Sequence, residues 1–477
     1  MLYLRYWQTG VDVSPEISMT VFLTEAHADS IPITGLRAVD MPAWRSDCDA
    51  PTQAWLSAIA FEAAPSAVCL VPSREGGIQR VLVGMAPGES LAALANLPYL
   101  LPPGNYHVEG LPDGCEPYLA ALGFGLAAYR FTRYKALPRL PARLLPSPGV
   151  DLTRLERELA ASYWVRDLIN TPTEDMGPDH LEHAARELAA AHAAEFRSVV
   201  GEELLQQNFP SIHAVGRASH RAPRLLELNW GDPAHPRIAI VGKGVCFDTG
   251  GLDLKAAEGM RWMKKDMGGA AHALALTRLV LEAQLPVRVQ MLIPAVENAV
   301  AGNAYRPGEV LATRAGLSVE VDNTDAEGRV VLADALTYAG EQTPELIIDF
   351  ATLTGAARIA LGPDLPALFT NRVPLAAALT ALGARLADPL WPMPLWAGYR
   401  GMLDSHVADM ANGSPSKHAG AIVAALYLSR FVPEGIDWCH FDVYSWNDAD
   451  RPGRPRGGEA QTLRATFALL EERFRPR

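Results

Sequence analysis

From about residue 178 to residue 350, short continuous apolar runs alternate with longer stretches in which apolar residues recur at helical spacing. Continuous apolar runs of this length are typical of strands buried on both faces, and the longer stretches are typical of helices packed on a sheet. The alternation predicts an α/β fold with a central, largely parallel or mixed sheet flanked by helices. The predicted strands are 224–229, 237–241, 287–293, 317–321 and 346–350, and the predicted helices are 178–194, 269–283 and 330–338.

The first 150 residues follow a less regular pattern, with predicted strands at 67–71 and 81–84 and a predicted helix at 117–129. Four prolines within residues 137–149 indicate a stiff connector. Apolar side chains then recur at near-helical spacing over residues 151–169, which predicts a linker helix. The predicted organisation is an N-terminal α/β domain at 1–150, the linker helix at 151–169 and a larger C-terminal α/β domain at 170–477.

Composition narrows the class of protein. The chain of 477 residues has a formal net charge of −12, which argues against a general nucleic-acid or anionic-membrane surface. Its five cysteines are widely spaced and form no C-x-x-C pair, which favours reduced thiols in a cytoplasm over disulfides or a zinc finger. Residues 1–16 show no signal peptide, and the apolar stretch 118–129 is too short to span a bilayer. We therefore expect a cytoplasmic protein with neither membrane nor nucleic acid as a partner.

The most informative charged stretch is DNTDAEGRVVL, residues 322–332. Asp325, Glu327 and Arg329 are predicted on the turn between a strand and a helix, where two carboxylates can reach a common point. The acids indicate a cation site, and the arginine beside free N–H groups at a helix start indicates an adjacent anion site. The alternative is a solvated acidic turn, because Asp, Asn and Gly are common turn residues. The spacing excludes an EF-hand.

A second charged stretch, residues 238–266, follows another predicted buried strand. The strand ends at Gly242-Lys243-Gly244, and Asp248, Lys255 and Asp266 come after it at intervals of 5, 12 and 23 residues from the lysine. Two charged loops that each follow a strand are typical of an α/β sheet whose site lies at the carboxyl ends of its strands. The four carboxylates of the two loops suit Mn²⁺ or Mg²⁺, and Zn²⁺ also accepts carboxylates.

Several motifs in these and later stretches resemble the leucyl aminopeptidases, the two-metal cytosolic aminopeptidase family. They are VGKGVCFDTGG, then MKKDMGGAA, NTDAEGRVVLADAL and DFATLTGAARIALG. NTDAEGR is the highly specific signature of that family. The resemblance extends from about Val165 to the C-terminus. It implies an N-terminal α/β domain, a linker helix and a larger α/β catalytic domain with a mixed sheet.

The resemblance also implies which residues bind two divalent metal ions, Mn²⁺ or Zn²⁺, with Mg²⁺ as a further candidate. One ion would be bound by Asp248, Asp325 and Glu327, with the Asp325 carbonyl as an additional ligand. The other would be bound by Lys243, Asp248, Asp266 and Glu327, so that Asp248 and Glu327 bridge the two ions. From the residues alone, Lys243 would instead be expected to pair with a carboxylate, because a lysine binds a metal only as a neutral amine.

The reaction implied by the resemblance is hydrolysis of the N-terminal peptide bond, with release of leucine or another apolar first residue. Lys255 would stabilise the oxyanion, and Arg329 would hold a bicarbonate ion as the proton shuttle. Met263, Thr352 and Gly355 match family positions that line the pocket for the first residue. The family resemblance further implies peptide substrates, intracellular peptide turnover and a homohexamer.

Two other functions remain open on the sequence. Paired metals also serve phosphoesterases, although the lysine ligand and NTDAEGR argue against that class. A second role in DNA binding is known within the family, but it would need a basic groove. This chain also departs from the family pattern at Ala256 and Glu258, beside the catalytic-lysine position, and at Gly268. Those changes keep every predicted ligand and affect the expected loop shape and metal preference.

Overall fold

The computed structural model describes residues 21–475. The predicted absence of a signal peptide concerns residues outside this range, as does the start of the predicted first domain. The described residues form two compact units, one of residues 21–163 with 447–456 and the other of residues 164–446 with 457–475. The boundaries 1–150, 151–169 and 170–477 remain predictions. Among residues 21–475, none of the helices combines the length and apolarity that crossing a bilayer requires.

The first unit is built on a five-stranded sheet in the order β2-β3-β1-β4-β5, in which only the β2–β3 pair is antiparallel. The helix Pro117–Ala128 is almost entirely buried because its small residues allow close packing, and a Cβ on Gly123 would lie 1.8 Å from the Leu91 carbonyl oxygen. The strands are β1 (Ile31–Leu36), β2 (Val68–Pro72), β3 (Ile78–Gly84), β4 (Asn105–Gly110) and β5 (Arg143–Leu145). The helices are α1 (Met41–Ser46), α2 (Ala50–Ala58), α3 (Leu97–Leu100) and α4 (Pro117–Ala128), with a 3₁₀ helix at Ser90–Ala92.

The predicted linker helix is α5 (Leu152–Asn170), which contains the boundary between the units. The helices that follow it are α6 (Pro178–Ala191), α7 (Glu203–Gln206), α8 (Pro210–Gly216), α9 (Ala257–Met260), α10 (Gly268–Glu282), α11 (Glu327–Glu341), α12 (Gly355–Leu361), α13 (Val373–Arg385), α14 (Gly420–Ser429) and α15 (Leu463–Phe474). Further 3₁₀ helices lie at Thr173–Asp175, Met263–Met267 and Ala397–Leu403.

The second unit is built on a mixed sheet in the order β15-β14-β17-β13-β8-β10-β7-β6, with β9 paired to β10. Its central pairs, β17–β13, β13–β8 and β8–β10, are parallel, whereas β14–β17, β10–β7 and β7–β6 are antiparallel. The strands of this sheet are β6 (Glu195–Val200), β7 (Arg224–Trp230), β8 (Arg237–Gly242), β9 (Gly244–Asp248), β10 (Arg288–Asn298), β13 (Leu346–Ala351), β14 (Ala367–Thr370), β15 (Trp391–Pro392) and β17 (Asp437–Asp442). A separate three-stranded sheet contains β11 (Val310–Ala312), β12 (Ser318–Glu320) and β16 (Met410–Ala411), so the strand predicted at 317–321 lies outside the central sheet. Strands β18 (Trp446–Asn447) and β19 (Gly457–Gly458) form a two-stranded sheet.

The predicted fold class, α/β with a mixed sheet flanked by helices, is confirmed. Strands β8, β10 and β13 are buried almost throughout, as their continuous apolar runs predicted. Helices α10 and α11 pack on these strands, and Val331, Leu332 and other residues of α11 contribute to one large apolar core. Because the central strands are parallel, their carboxyl ends lie on one edge of the sheet, where the charged residues gather.

The predicted start of the helix after Asp325 was wrong, and the strand predicted at 287–293 extends to Asn298. The helix expected to start at residue 330 begins at Glu327, so Glu327 and Arg329 lie in its first turn and only Asp325 lies on the preceding turn. A glutamate in the first turn is favourable because free N–H groups and the helix dipole attract negative charge there. The apolar pattern after residue 330 did not reveal this charged turn of the helix.

Candidate active site

Lys243 lies between β8 and β9, and its ammonium group joins two acids from distant parts of the chain. Nζ lies 2.8 Å from Asp266 Oδ2 and 2.8 Å from Glu327 Oε1, and it donates a hydrogen bond of 3.0 Å to the Thr352 carbonyl oxygen. The lysine is 2% exposed. A Cβ at Gly328 would lie 2.6 Å from this Nζ, so any side chain at that position of α11 would displace the amine. The lysine therefore pairs with carboxylates, as the residues alone predicted.

Lys255 joins the other two acids. Its Nζ lies 2.7 Å from Asp248 Oδ2 and also contacts Asp325 Oδ1. Asp248 is the last residue of β9, and Asp325 lies on the turn before α11. The Lys255 backbone N–H donates to the Thr249 carbonyl oxygen at 2.9 Å, which ties the loop to the end of β9. Burial alone would lower the pKa of each lysine, but the surrounding carboxylates raise both above the ordinary lysine value.

The acids outnumber the cations at this edge. Oxygen atoms of Asp248, Asp325 and Glu327 lie within 4.8 Å of one another, and Asp266 reaches the same group through Lys243. Burial, followed by repulsion from Asp248, raises the pKa of Asp325 to about 6 and that of Glu327 well above its usual range. Glu327 Oε2 is buried and has no hydrogen-bond partner among residues 21–475. A cluster with surplus negative charge and an unpartnered oxygen matches the donor set that divalent cations require.

Several uncharged residues hold the acids in place, and the sequence did not single them out. Asn298, the last residue of β10, donates to Asp248 Oδ1 at 2.9 Å and to the Thr324 carbonyl oxygen at 3.0 Å. Tyr305 donates to the same carbonyl oxygen at 2.6 Å. The sequence did carry a signal for Asn298, because it is a polar residue at the end of an apolar strand. These hydrogen bonds fix the carboxylate of Asp248 and the turn that carries Asp325 before any ligand arrives.

Two of the three predicted pocket residues, Met263 and Thr352, are connected to Asp266. Met263 begins the 3₁₀ helix that contains Asp266 and is half-buried. Thr352 follows β13, is buried, and donates through its hydroxyl to Asp266 Oδ1 at 2.7 Å. Gly355 is exposed and is the first residue of α12, which Thr354 caps. Thr352 thus also positions an acid, which its spacing alone did not predict.

Among the described residues, Arg329 forms no ion pair with any of the four acids. Nη1 donates to the Asn412 carbonyl oxygen at 2.8 Å, whereas its buried Nε has no acceptor among the described residues. Burial lowers the pKa of this guanidinium below its ordinary value, although it remains a cation at neutral pH. The nearby Tyr427 hydroxyl is also buried and has no partner within residues 21–475. Two unused donors next to a cation leave room for a small anion.

Two family models match the chain along most of its length. The catalytic domain of the cytosol aminopeptidase family matches residues 163–467, and the N-terminal domain of the M17 aminopeptidases matches residues 31–146. The chain belongs to the cytosol aminopeptidase family. The resemblance seen in the sequence motifs is therefore confirmed, together with the activity class: the protein is a metallo-aminopeptidase, a hydrolase of peptide bonds.

Relatives and solved structures agree with this membership. A probable cytosol aminopeptidase of Syntrophotalea carbinolica is 40% identical over 381 residues, which are 76% of this chain and 76% of that protein. The crystal structure of a cytosol aminopeptidase from Coxiella burnetii is 48% identical, with a TM-score of 0.92 over 95% of this chain and 100% of that one.

A structure of the bottromycin maturation enzyme BotP in complex with Mn is 32% identical to this chain. Its TM-score is 0.84, over 93% of this chain and 99% of that one. The family is metal-dependent, and the surplus of carboxylates described above gives this chain a donor set of the kind a metal needs.

Proposed function

We propose that this aminopeptidase uses two divalent metal ions, Mn²⁺ or Zn²⁺ with Mg²⁺ as a further candidate, to remove the first residue of peptides. Asp248, Asp325 and Glu327 would hold one ion, with the Asp325 carbonyl as an additional ligand. Lys243, Asp248, Asp266 and Glu327 would hold the other, so Asp248 and Glu327 would be shared. The observation that carries the proposal is the surplus of buried carboxylates around Glu327 Oε2, which has no partner among the described residues.

Bound divalent ions would supply Lewis-acid chemistry, acidifying a water molecule and polarising the scissile carbonyl group. The amines of Lys243 and Lys255 now supply part of the positive charge that the acids need. Lys243 can act as a ligand only after losing its proton, and an incoming cation favours that loss by repelling the ammonium charge. Its carbonyl partner, Thr352, would hold the neutral amine in place by accepting a hydrogen bond.

Lys255 is proposed to stay protonated and to stabilise the oxyanion that forms on the scissile carbonyl. The three carboxylates around it hold its pKa above the ordinary lysine value, which keeps the ammonium charged at neutral pH. Its side chain is partly exposed, unlike that of Lys243, so a substrate can reach the amine. A cation already fixed in position costs little reorganisation when negative charge develops.

Arg329 is proposed to hold a bicarbonate ion, which would supply a proton shuttle for the reaction. The guanidinium cannot act as a base because it does not lose its proton in proteins. Its Nε has no acceptor among residues 21–475, and its Nη1 is fixed by Asn412. The first turn of α11 adds free backbone N–H groups, which favour an anion.

Met263, Thr352 and Gly355 are proposed to line the pocket for the first residue of the substrate. A flexible methionine side chain and a glycine without a side chain suit an apolar residue such as leucine. We further propose a cytoplasmic homohexamer that takes part in intracellular peptide turnover. A hexamer should be visible by light scattering of the active fraction, and a monomer of about 51.5 kDa there would contradict that part of the proposal.

The function itself is tested with the metal-reconstituted protein and a panel of amino-acyl amides that differ only in the first residue. Phosphate esters, run in parallel, represent the other two-metal hydrolase class. We expect hydrolysis of the amides, fastest for leucine and other apolar residues, and no turnover of the esters above the metal-free blank. Ester hydrolysis without amide hydrolysis would reverse the assignment.

A further inference from the structure

Lys265 is a buried cation that the reaction described above does not use. It lies in the 3₁₀ helix Met263–Met267, directly before Asp266, and is 7% exposed. Its Nζ lies 5.0 Å from the centre of the Tyr444 ring. Within residues 21–475, the Lys265 amine makes neither an ion pair nor a hydrogen bond. A charged group with little exposure and no hydrogen-bond acceptor from the protein is costly to hold, so the Lys265 amine is available to an acceptor on a ligand.

The preceding lysine shows what an ordinary buried amine does at this place in the fold. Lys264 Nζ donates to the Asn170 carbonyl oxygen at 2.5 Å and also lies over the Trp446 ring. The Lys264 amine therefore already has a hydrogen-bond acceptor within the protein. Lys264 and Lys265 share a helix and a residue type, but only Lys264 has a hydrogen-bond partner among the described residues. The difference makes Lys264 a matched control.

The two acids whose charge acts on Lys265 are Asp266 and Asp442, and both are engaged elsewhere. Asp266 pairs with Lys243 and accepts a hydrogen bond from the Thr352 hydroxyl. Asp442, at the end of β17, accepts hydrogen bonds from the backbone N–H groups of Leu353 at 3.0 Å and Thr354 at 3.1 Å. It also accepts one from the Thr354 hydroxyl at 2.6 Å. These bonds fix the segment that carries Thr352 and Gly355. Asp442 thus supports the proposed pocket and leaves the Lys265 amine without an acid partner.

Tyr444 connects Lys265 to that pocket. The guanidinium of Arg358 lies 4.8 Å from the centre of the same ring, and Arg358 comes one helical turn after Gly355 in α12. Arg358 is exposed, whereas Lys265 is buried. The Tyr444 ring thus carries one cation from the helix of Met263 and Asp266 and another from the helix of Gly355. Both cations are next to residues proposed to line the first-residue pocket.

We propose that Lys265 recognises a carboxylate at the end of the substrate's first side chain, so that N-terminal glutamate is accepted as well as leucine. The inference rests on the proposed function and extends its substrate class. The carbon chain of glutamate would pack on Met263, as leucine would, while its carboxylate would receive a charge-assisted hydrogen bond from the Lys265 amine. Arg358, at the exposed side of Tyr444, would attract the same acidic residue from solvent.

The first test compares glutamyl, glutaminyl and leucyl amides on the unmodified, metal-loaded enzyme. Glutamate and glutamine have nearly the same shape, so their ratio of kcat/KM isolates the charge. We expect glutamyl amide to be cleaved about 10-fold better than glutaminyl amide, because a hydrogen bond between two charged groups is stronger than one to a neutral amide. Glutamyl amide cleaved no better than glutaminyl amide would overturn the proposal without any variant.

The second test replaces the lysine. Lys265→Met should lower kcat/KM for glutamyl amide by about 10–100-fold and change the values for leucyl and glutaminyl amides by only a few fold. Lys265→Arg should restore part of the preference for glutamate. Lys264→Met, the matched control, should leave the glutamate-to-glutamine ratio unchanged. An equal loss for all three amides in Lys265→Met, with no recovery of the ratio in Lys265→Arg, would mean that Lys265 only supports the fold.

Cleavage of the leucyl amide distinguishes a failure of the proposed function from a failure of the proposed role of Lys265. If the enzyme cleaves leucyl amide but shows no preference for glutamate over glutamine, the proposed function stands and the role of Lys265 is wrong. If the metal-loaded enzyme cleaves none of the amides, the proposed function fails first.

Discussion

The two units of this chain use the same kind of architecture for different ends. Each has a mixed sheet with helices packed on it. In the first unit, β3 is followed by the buried Met85 and β4 by Leu111. In the second, β8 is followed by Lys243, and β9 ends at Asp248. The comparison shows that a sheet of this type supplies the positions, while the residues at the strand ends supply the chemistry.

The two units also differ in how their charged groups are paired. In the first, Arg80 contacts Glu109, and the Thr34 hydroxyl donates to the same carboxylate at 2.7 Å. Burial alone would raise the pKa of Glu109, but the two donors hold it below its usual range. In the second unit, by contrast, burial and like charge raise the pKa of Glu327. A carboxylate with matched donors stabilises a fold, whereas a surplus of carboxylates is the mark of a ligand site.

The largest effect should come from Glu327, which we assign to both metal ions. Glu327→Gln removes a shared ligand, and losing several kcal/mol of transition-state stabilisation lowers kcat by about 10³-fold or more. Steady-state kinetics on leucyl amide measure this. Glu109→Gln is the matched control in the first unit and should change kcat by less than about twofold, because that pair is structural. Comparable losses in both variants would remove the distinction between the units.

Lys255 should come next. If its ammonium stabilises the oxyanion, Lys255→Ala lowers kcat by about 10²–10³-fold and changes KM less, because the contact strengthens as charge develops. Arg80→Ala, which breaks the ion pair with Glu109, should leave both constants nearly unchanged. An effect of Lys255→Ala on KM alone would indicate that the lysine only binds the ground state.

Arg329 should have a smaller effect that depends on the buffer. General-base help is typically worth about 10²–10⁴-fold, and solvent or buffer replaces part of it. Arg329→Ala should therefore keep measurable activity and lose the stimulation by added bicarbonate that we expect of the parent. The measurement is kcat against bicarbonate concentration for both proteins. A parental response retained by the variant would leave Arg329 as a structural cation at the start of α11.

The smallest effect concerns Asp334, a buried carboxylate outside the cluster. It accepts hydrogen bonds from the backbone N–H groups of Ser211 at 2.8 Å and Arg314 at 2.7 Å, while burial raises its pKa to about 6. Because the folded pKa is above the unfolded one, its contribution to stability is fully present below about pH 4 and is lost as pH rises through about 6.

The melting temperature of the chelated parent should therefore fall relative to that of chelated Asp334→Asn as the pH rises from 5 to 7. Chelation of both proteins cancels the titration of the metal-site acids. A difference in melting temperature that does not vary with pH would show that the two backbone donors keep Asp334 charged throughout.

The sequence was informative wherever chemistry is local. The motifs predicted the acids and both lysines, and continuous apolar runs predicted β8, β10 and β13. Contacts between distant residues were harder to predict. Glu327 meets Lys243 only because α11 packs on the sheet beside β8, and the Asn298 bond to Asp248 requires β9 to pair with β10. These contacts depend on strand order, which apolar periodicity does not encode.

The role of Lys265 illustrates the same limit. In the sequence it is one of two adjacent lysines in MKKD, and nothing there distinguishes them. The fold directs Lys264 toward the Asn170 carbonyl and Lys265 toward the Tyr444 ring. Whether each lysine finds a hydrogen-bond acceptor depends on its distant neighbour in the fold: Asn170 is 94 positions from Lys264, and Tyr444 is 179 positions from Lys265. The local sequence pattern therefore does not distinguish the two lysines.

The most direct test of the central claim is a metal count. The parent, Asp266→Asn and Glu327→Gln are loaded with Mn²⁺, dialysed, and analysed for bound metal per chain. We predict two ions in the parent, selective weakening of one ion in Asp266→Asn because that acid serves a single site, and loss of both ions in Glu327→Gln. Two full equivalents retained by Glu327→Gln would contradict the shared-ligand assignment on which the account rests.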